Sequence, residues 1–206
     1  MNKYLTLFLV VFLFVNCKPR VNNIAEFKSW FNDPENEFVK EKYVNDLKFS
    51  VQYRPAELMI CNELKDLKKG QSSLDSLKRT YKNSLYFLLE IGFDEREKKK
   101  QGDVLLKDIH TYEQYVEKVN YLSFQLENNT WLVVGKDTIP PSLYHFERGY
   151  ELGKKQTIMF AFPYSGSINK KDMAFFFNDD AFKTGLNIFK FNIDSTKQPE
   201  LPYTTK

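Results

Sequence analysis

The chain is poor in the residues that most often announce a chemistry. Of 206 residues only two are cysteine, two are histidine and eight are glycine, and the glycines are scattered. Two cysteines make no disulfide framework. His110 and His145 have no cysteine, histidine or carboxylate at a metal-ligand spacing, so they read as structural or surface residues. Scattered glycine excludes the clustered loops that cradle phosphates. There is no G-x-S-x-G elbow and no S-x-x-K; Ser73-Leu74-Asp75-Ser76 reads as helix-start chemistry. Nor is charge of one sign in excess. A formal net charge of +3, with the cations interspersed among Asp and Glu, lacks the basic stripe of a nucleic-acid binder. No cofactor, metal site or nucleic-acid partner is implied.

Long apolar runs are also missing, with one exception. Met1-Asn2-Lys3 precedes an apolar stretch from Tyr4 to Val15. As a helix it covers roughly 18 Å, against a hydrocarbon core of roughly 30 Å, so it is short for a span. It has the length of a signal-peptide core behind a short basic start. The run ends in Phe14-Val15-Asn16-Cys17, followed at once by Lys18-Pro19-Arg20.

This segment resembles the lipobox of bacterial lipoproteins, in the looser Bacteroidota form that accepts Asn16 where a small residue is usual. The resemblance covers about a tenth of the chain. It implies cleavage of residues 1–16, acylation of Cys17 with palmitate among its fatty chains, and a location in the bacterial cell envelope. A single acyl chain holds marginally, and two or more hold stably. Lys18-Pro19-Arg20-Val21 is not the acidic run that resembles a surface-export signal, which points the anchor to the outer membrane facing the periplasm. With Cys17 acylated, Cys61 stands alone in Leu58-Met59-Ile60-Cys61, an apolar setting that suits a buried thiol. Asp75-Ser76-Leu77, Asp137-Thr138-Ile139 and Asp194-Ser195-Thr196 resemble the O-glycosylation motif of exported Bacteroidota proteins.

What is abundant is aromatic: 19 Phe and 12 Tyr. Residues 17–23 read as a lipidated tether, 24–193 as one globular domain and 194–206 as a loose tail. Ile24, Phe27, Trp30 and Phe31 predict a helix ending before Asp33-Pro34. Leu47, Phe49, Val51 and Tyr53 alternate with polar residues and predict a strand. Pro55 to about Lys68 predicts a second helix, and Ser72 caps a third. Leu85–Ile91 predicts a strand covered on both faces. Leu105, Ile109, Tyr112, Val116 and Val119 predict a helix capped by Asp103. Leu122, Phe124 and Leu126, a turn at Asn128-Asn129, and Thr130–Val134 predict a hairpin. Further strands are predicted at Tyr144–Phe146, Thr157–Phe162, Met173–Phe177 and Ile188–Ile193. The fold class is α+β, with several short helices and a mostly antiparallel, sandwich-like sheet arrangement in the second half.

The function this supports is a membrane-anchored envelope lipoprotein that binds or scaffolds another envelope component without catalysis. The alternative is a sandwich binding a carbohydrate or another ligand through the surface aromatics Trp131, Tyr144, Tyr150 and Tyr164. A third reading is an envelope enzyme, which requires carboxylates converging in a pocket. Asn178-Asp179-Asp180 offers hard oxygen ligands for calcium but reads better as a polar turn. The partners expected are the membrane, through the lipid, and an envelope protein or glycan.

Overall fold

The computed structural model describes residues 18–64, 71–96, 102–147, 155–168 and 171–202. Residues 1–17, on which the expected signal and acylated cysteine fall, and Tyr150 lie outside the described residues. The described residues form four helices and nine strands, and all strand pairing among them is antiparallel. The elements are α1 (Ile24–Asn32), β1 (Val39–Val44), β2 (Leu47–Arg54), α2 (Ala56–Leu64), α3 (Gln71–Tyr81) and β3 (Ser84–Phe93). They continue with α4 (Tyr112–Phe124), β4 (Thr130–Val134), β5 (Asp137–Ile139), β6 (Leu143–Glu147), β7 (Lys155–Pro163), β8 (Lys171–Asp179) and β9 (Gly185–Ile193). Five strands form one sheet in the order β1-β2-β3-β7-β6, and four form a second in the order β5-β4-β8-β9. The α+β, antiparallel sandwich-like class is therefore the observed one, with about 39% strand and 32% helix.

Period-2 patterning builds the core. Along β3, Leu85, Phe87, Leu89 and Ile91 are buried while Tyr86, Leu88 and Glu90 face outward. The same alternation turns Ile158, Phe160 and Phe162 of β7 inward, and Phe175 and Phe177 of β8 with Phe189 and Phe191 of β9 from the other sheet. Successive side chains of a strand point to opposite faces, so one register buries a whole set. Each fully buried ring contributes about 1.5–3 kcal/mol. Phe87 lies at the centre, with Tyr53, Phe162, Phe175 and Phe191 at ring-centroid distances of 5.3–5.8 Å.

The sandwich is not confined to the second half, as the sequence suggested. β3 pairs with β7 from Ser84↔Pro163 to Gly92↔Lys155, so the early strands and the late ones share a sheet. A strand as apolar as β3 needs a partner on each side, and only long-range pairing supplies both.

The stretch before β4 also differs from its sequence reading. Asp103 caps a single turn at Val104–Leu106, its side chain accepting from the Leu105 N–H at 2.9 Å. The helix starts later, because Thr111 and Gln114 form a reciprocal capping box that fixes its start at Tyr112. α4 then runs through Leu122 and Phe124, which had read as a strand. Val119, Leu122 and Leu126 are buried whereas Phe124 is 73% exposed, a stripe of period three to four in place of alternation. β1 carried no clear signal. It is a charged edge strand, Val-Lys-Glu-Lys-Tyr-Val, and such edges are kept polar because their open backbone invites pairing. Asn45, at a left-handed φ of 56°, turns β1 into β2.

The segment expected to be a loose tail is packed as far as Pro202. Asp194 caps a turn at Ser195–Lys197, and Gln198, Pro199 and Leu201 are buried. Leu201 joins the core at 6% exposure. Among the described residues no helix is long and apolar enough to cross a membrane.

Candidate functional site

The packed C-terminal segment forms one wall of a cleft of about 640 Å³. The other walls come from the end of β2, the start of α2, the end of α3, the start of β3 and the loop after β7. Strand register assembles it. The Ser84↔Pro163 pair ends the β3–β7 ladder, and the Tyr164 N–H donates to the Asn83 carbonyl at 3.0 Å. That contact sets the 164–168 loop beside the end of α3.

The floor is apolar: Ile60, Leu85 and Leu201 line it, each no more than 6% exposed. Tyr53, Tyr81 and Tyr164 add rings. Burial, and then the Glu57 charge, push the Tyr53 phenol well above its ordinary pKa. Burial also raises Tyr81, helped by its hydrogen bond to Glu63 at 2.6 Å and by the Glu63 charge. Both phenols stay protonated at neutral pH and are donors. Around the opening stand Lys18, Lys78 and Lys82 with Glu57 and Glu200, and Lys18 Nζ engages Glu200 Oε1 at 2.9 Å. Deeper in, Gln198 is 9% exposed, and its Nε2 is enclosed without an acceptor.

The sequence-predicted aromatics take separate places. Tyr164 lines the cleft. Trp131 lies on the outward face of the second sheet, stacked on Phe176 at 5.3 Å and 11°. Tyr144 faces inward and stacks on Phe160 at 5.7 Å. Its hydroxyl is enclosed near the Leu126 backbone, and burial raises its pKa. One concave face does not carry all three rings, because strand alternation sends Trp131 outward and Tyr144 inward. The signal that was missed is Gln198: it lies in a proline-flanked tail with no periodicity, and its role comes from packing alone.

Tyr164 is held by its own loop. A Cβ at Gly166 would stand 2.6 Å from the Tyr164 hydroxyl oxygen and 2.7 Å from Cζ, so only glycine lets the ring lie where it does. The obstructed atoms are the far end of a side chain, which can swing away. Gly166→Ala is therefore expected to shift the melting midpoint by no more than about 1–2 °C, in keeping with a surface change worth under about 0.5 kcal/mol. The Tyr164 ring resonances should move strongly. A large loss of stability with an unmoved ring would contradict this placement.

The other polar clusters have structural explanations. The Asp179 carboxylate accepts from the Phe182 N–H at 3.0 Å, the Thr184 N–H at 3.2 Å and the Thr184 hydroxyl at 2.6 Å. Asp180 accepts from Asn129 at 2.7 Å. Asn178-Asp179-Asp180 is thus a hairpin turn tied by the Asp179 carboxylate and by one Asp180 oxygen. No group of three or more His, Cys, Asp or Glu among the described residues is arranged to hold a metal. Cys61 is fully buried in α2. His110 and His145 are exposed, on the loop before α4 and on β6, and neither lines the cleft. The serines there, Ser84, Ser167 and Ser195, thus have no histidine beside them to act as base. No protein-family model, curated protein or solved structure matches the chain.

Proposed function

We propose that this chain is a lipid-anchored envelope protein whose domain binds a small ligand, without catalysis, in the cleft beside its tether. One observation carries the reading. Lys18, the residue directly after Cys17, lines the cleft and pairs with Glu200 across its mouth. One residue of chain spans at most about 3.5 Å, so a lipid on Cys17 would bring the cleft mouth to the bilayer surface. A cleft of about 640 Å³ with an apolar floor and a few polar groups is also the usual form of a small-molecule site. Glu57 and Glu200 are the carboxylates at its mouth, and Glu200 is engaged by Lys18, which favours binding over acid–base work.

A second reading, a scaffold for an envelope protein, has its own observation. Trp131, Phe176 and Ile188 form a row across the outward face of the second sheet, and Ile188 and Leu186 are 40% and 48% exposed. Exposed apolar patches of this kind mark interaction surfaces.

The test uses the full chain expressed with labelled palmitate and reconstituted in lipid nanodiscs. Label is expected in the wild type and absent from Cys17→Ala; label in the variant overturns the anchor. A library of sugars, organic acids and amides is then added to the isotope-labelled protein. Shifted amide signals at Leu85, Gln198 and Leu201 support the cleft. Shifts confined to Trp131, Phe176 and Ile188 overturn the cleft in favour of the scaffold.

A further inference from the structure

Resting on the cleft reading above, we infer that its ligand is a small organic anion: a carboxylate joined to a body with an apolar face. Three independent features of the cleft converge on this chemistry.

The first is the Gln198 amide. It is more than nine-tenths buried, it lines the cleft, and its Nε2 has no acceptor. A buried donor without a partner is costly, so native proteins seldom leave one. The Nε2 is itself closed off from solvent, so an acceptor oxygen on a ligand satisfies it once the Gln198 side chain turns toward the cleft.

The second feature is the pair of cations at the end of α3. Lys78 and Lys82 are one helical turn apart, both line the cleft, and both are exposed. Neither takes part in any of the ion pairs among the described residues, whereas Lys18 is engaged with Glu200. Of the acidic groups that line the cleft, Glu200 is engaged by Lys18, and Glu57 forms no ion pair with either lysine among the described residues. The pair therefore has charge to offer a ligand, and the Gln198 amide beside the cleft supplies a neutral donor.

The third feature is the floor. Ile60, Leu85 and Leu201 present buried hydrocarbon, and Tyr81 and Tyr164 stand at the sides. A ligand made only of charge would leave that surface wet. One with an apolar face covers it while its oxygens meet Gln198, Lys78 and Lys82.

Two sources carry this chemistry: an acyl carboxylate and an acidic sugar, whose ring has an apolar face. The probes are octanoate and digalacturonate, with octanamide and cellobiose as their uncharged counterparts. Binding is measured by titration calorimetry on the full chain in nanodiscs, with empty nanodiscs subtracted. At least one anion is expected to bind, its uncharged counterpart about tenfold more weakly or not at all. Octanoate alone binding names the acyl source, and digalacturonate alone names the sugar. Affinity should fall as salt rises, because the lysines are exposed and screened. Replacing both lysines, Lys78→Ala with Lys82→Ala, should weaken binding about tenfold with the melting midpoint unchanged. Gln198→Met, which keeps the volume and removes the donor, should weaken it by a similar factor.

Equal binding of charged and uncharged probes overturns the inference, as does wild-type affinity in the double lysine variant. If neither anion binds while uncharged library members still shift Leu85 and Leu201, the inference fails and the cleft reading stands. If nothing shifts those signals, both fail.

Discussion

Phe87→Ala is expected to cost about 3–5 kcal/mol, a large part of the roughly 5–15 kcal/mol that holds a domain of this size together. Phe87 is fully buried and joins the two sheets. From β3 its ring meets Phe175 and Phe191 of the opposite sheet, each at 5.5 Å, and Tyr53 and Phe162 of its own. Truncation removes the transfer free energy of the ring and leaves a cavity that strands on both sides cannot collapse to fill. It also removes edge-on ring contacts worth about 0.5–1.5 kcal/mol each, which are shared and do not add. Urea unfolding checks this: the midpoint should fall sharply while the slope stays near that of the wild type. Phe87→Leu, which keeps most of the volume, should cost less than half as much. A small effect of Phe87→Ala would mean that the sheets are not held together through this ring.

Asp179→Ala should cost about 2–4 kcal/mol by a different mechanism. The side chain is 1% exposed and closes the loop between β8 and β9, accepting two backbone N–H groups and the Thr184 hydroxyl. Removing it leaves those donors without an acceptor, the Phe182 N–H in a buried setting. Burial raises the carboxyl above the ordinary Asp value, with the Thr184 and Phe182 donors pulling it back. An acid raised in the folded state gives stability that is present below its unfolded pKa and lost as the pH rises through the folded one. The variant should therefore lose more stability on the acid side than at neutral pH, and the fall in wild-type stability as the pH rises through the folded value should be absent from it. Denaturant midpoints measured from acid to neutral pH test both. A variant as stable as wild type would show that the loop holds itself.

These two residues differ in how plainly the sequence showed them. Phe87 sits in an alternating apolar run, and its burial could be read from the period alone. Asp179 sits in a polar cluster that could equally have been a turn or a set of oxygen ligands. Only the direction of its carboxylate, toward the loop N–H groups, separates the two. α4 falls between these cases. Leu122, Phe124 and Leu126 satisfy a period of two, while Val119, Leu122 and Leu126 satisfy the helical one. The Thr111–Gln114 capping box decides between them, and it lies upstream of both patterns.

Read alone, the sequence determined the class of the fold and most of its strands. Local alternation is a property of a single segment, and burial of one face follows from it. The reading of Cys17 as an acylated residue also comes from sequence alone, since the pattern that carries it is contiguous. The cleft was decided by tertiary structure. Tyr53, Lys78, Tyr164 and Gln198 are far apart in the chain, and no spacing links them. They meet because β3 pairs with β7 in one register and because Leu201 anchors the C-terminal segment against the core. Burial of Gln198 follows from that docking, and its unfilled donor is the consequence that no local pattern encodes.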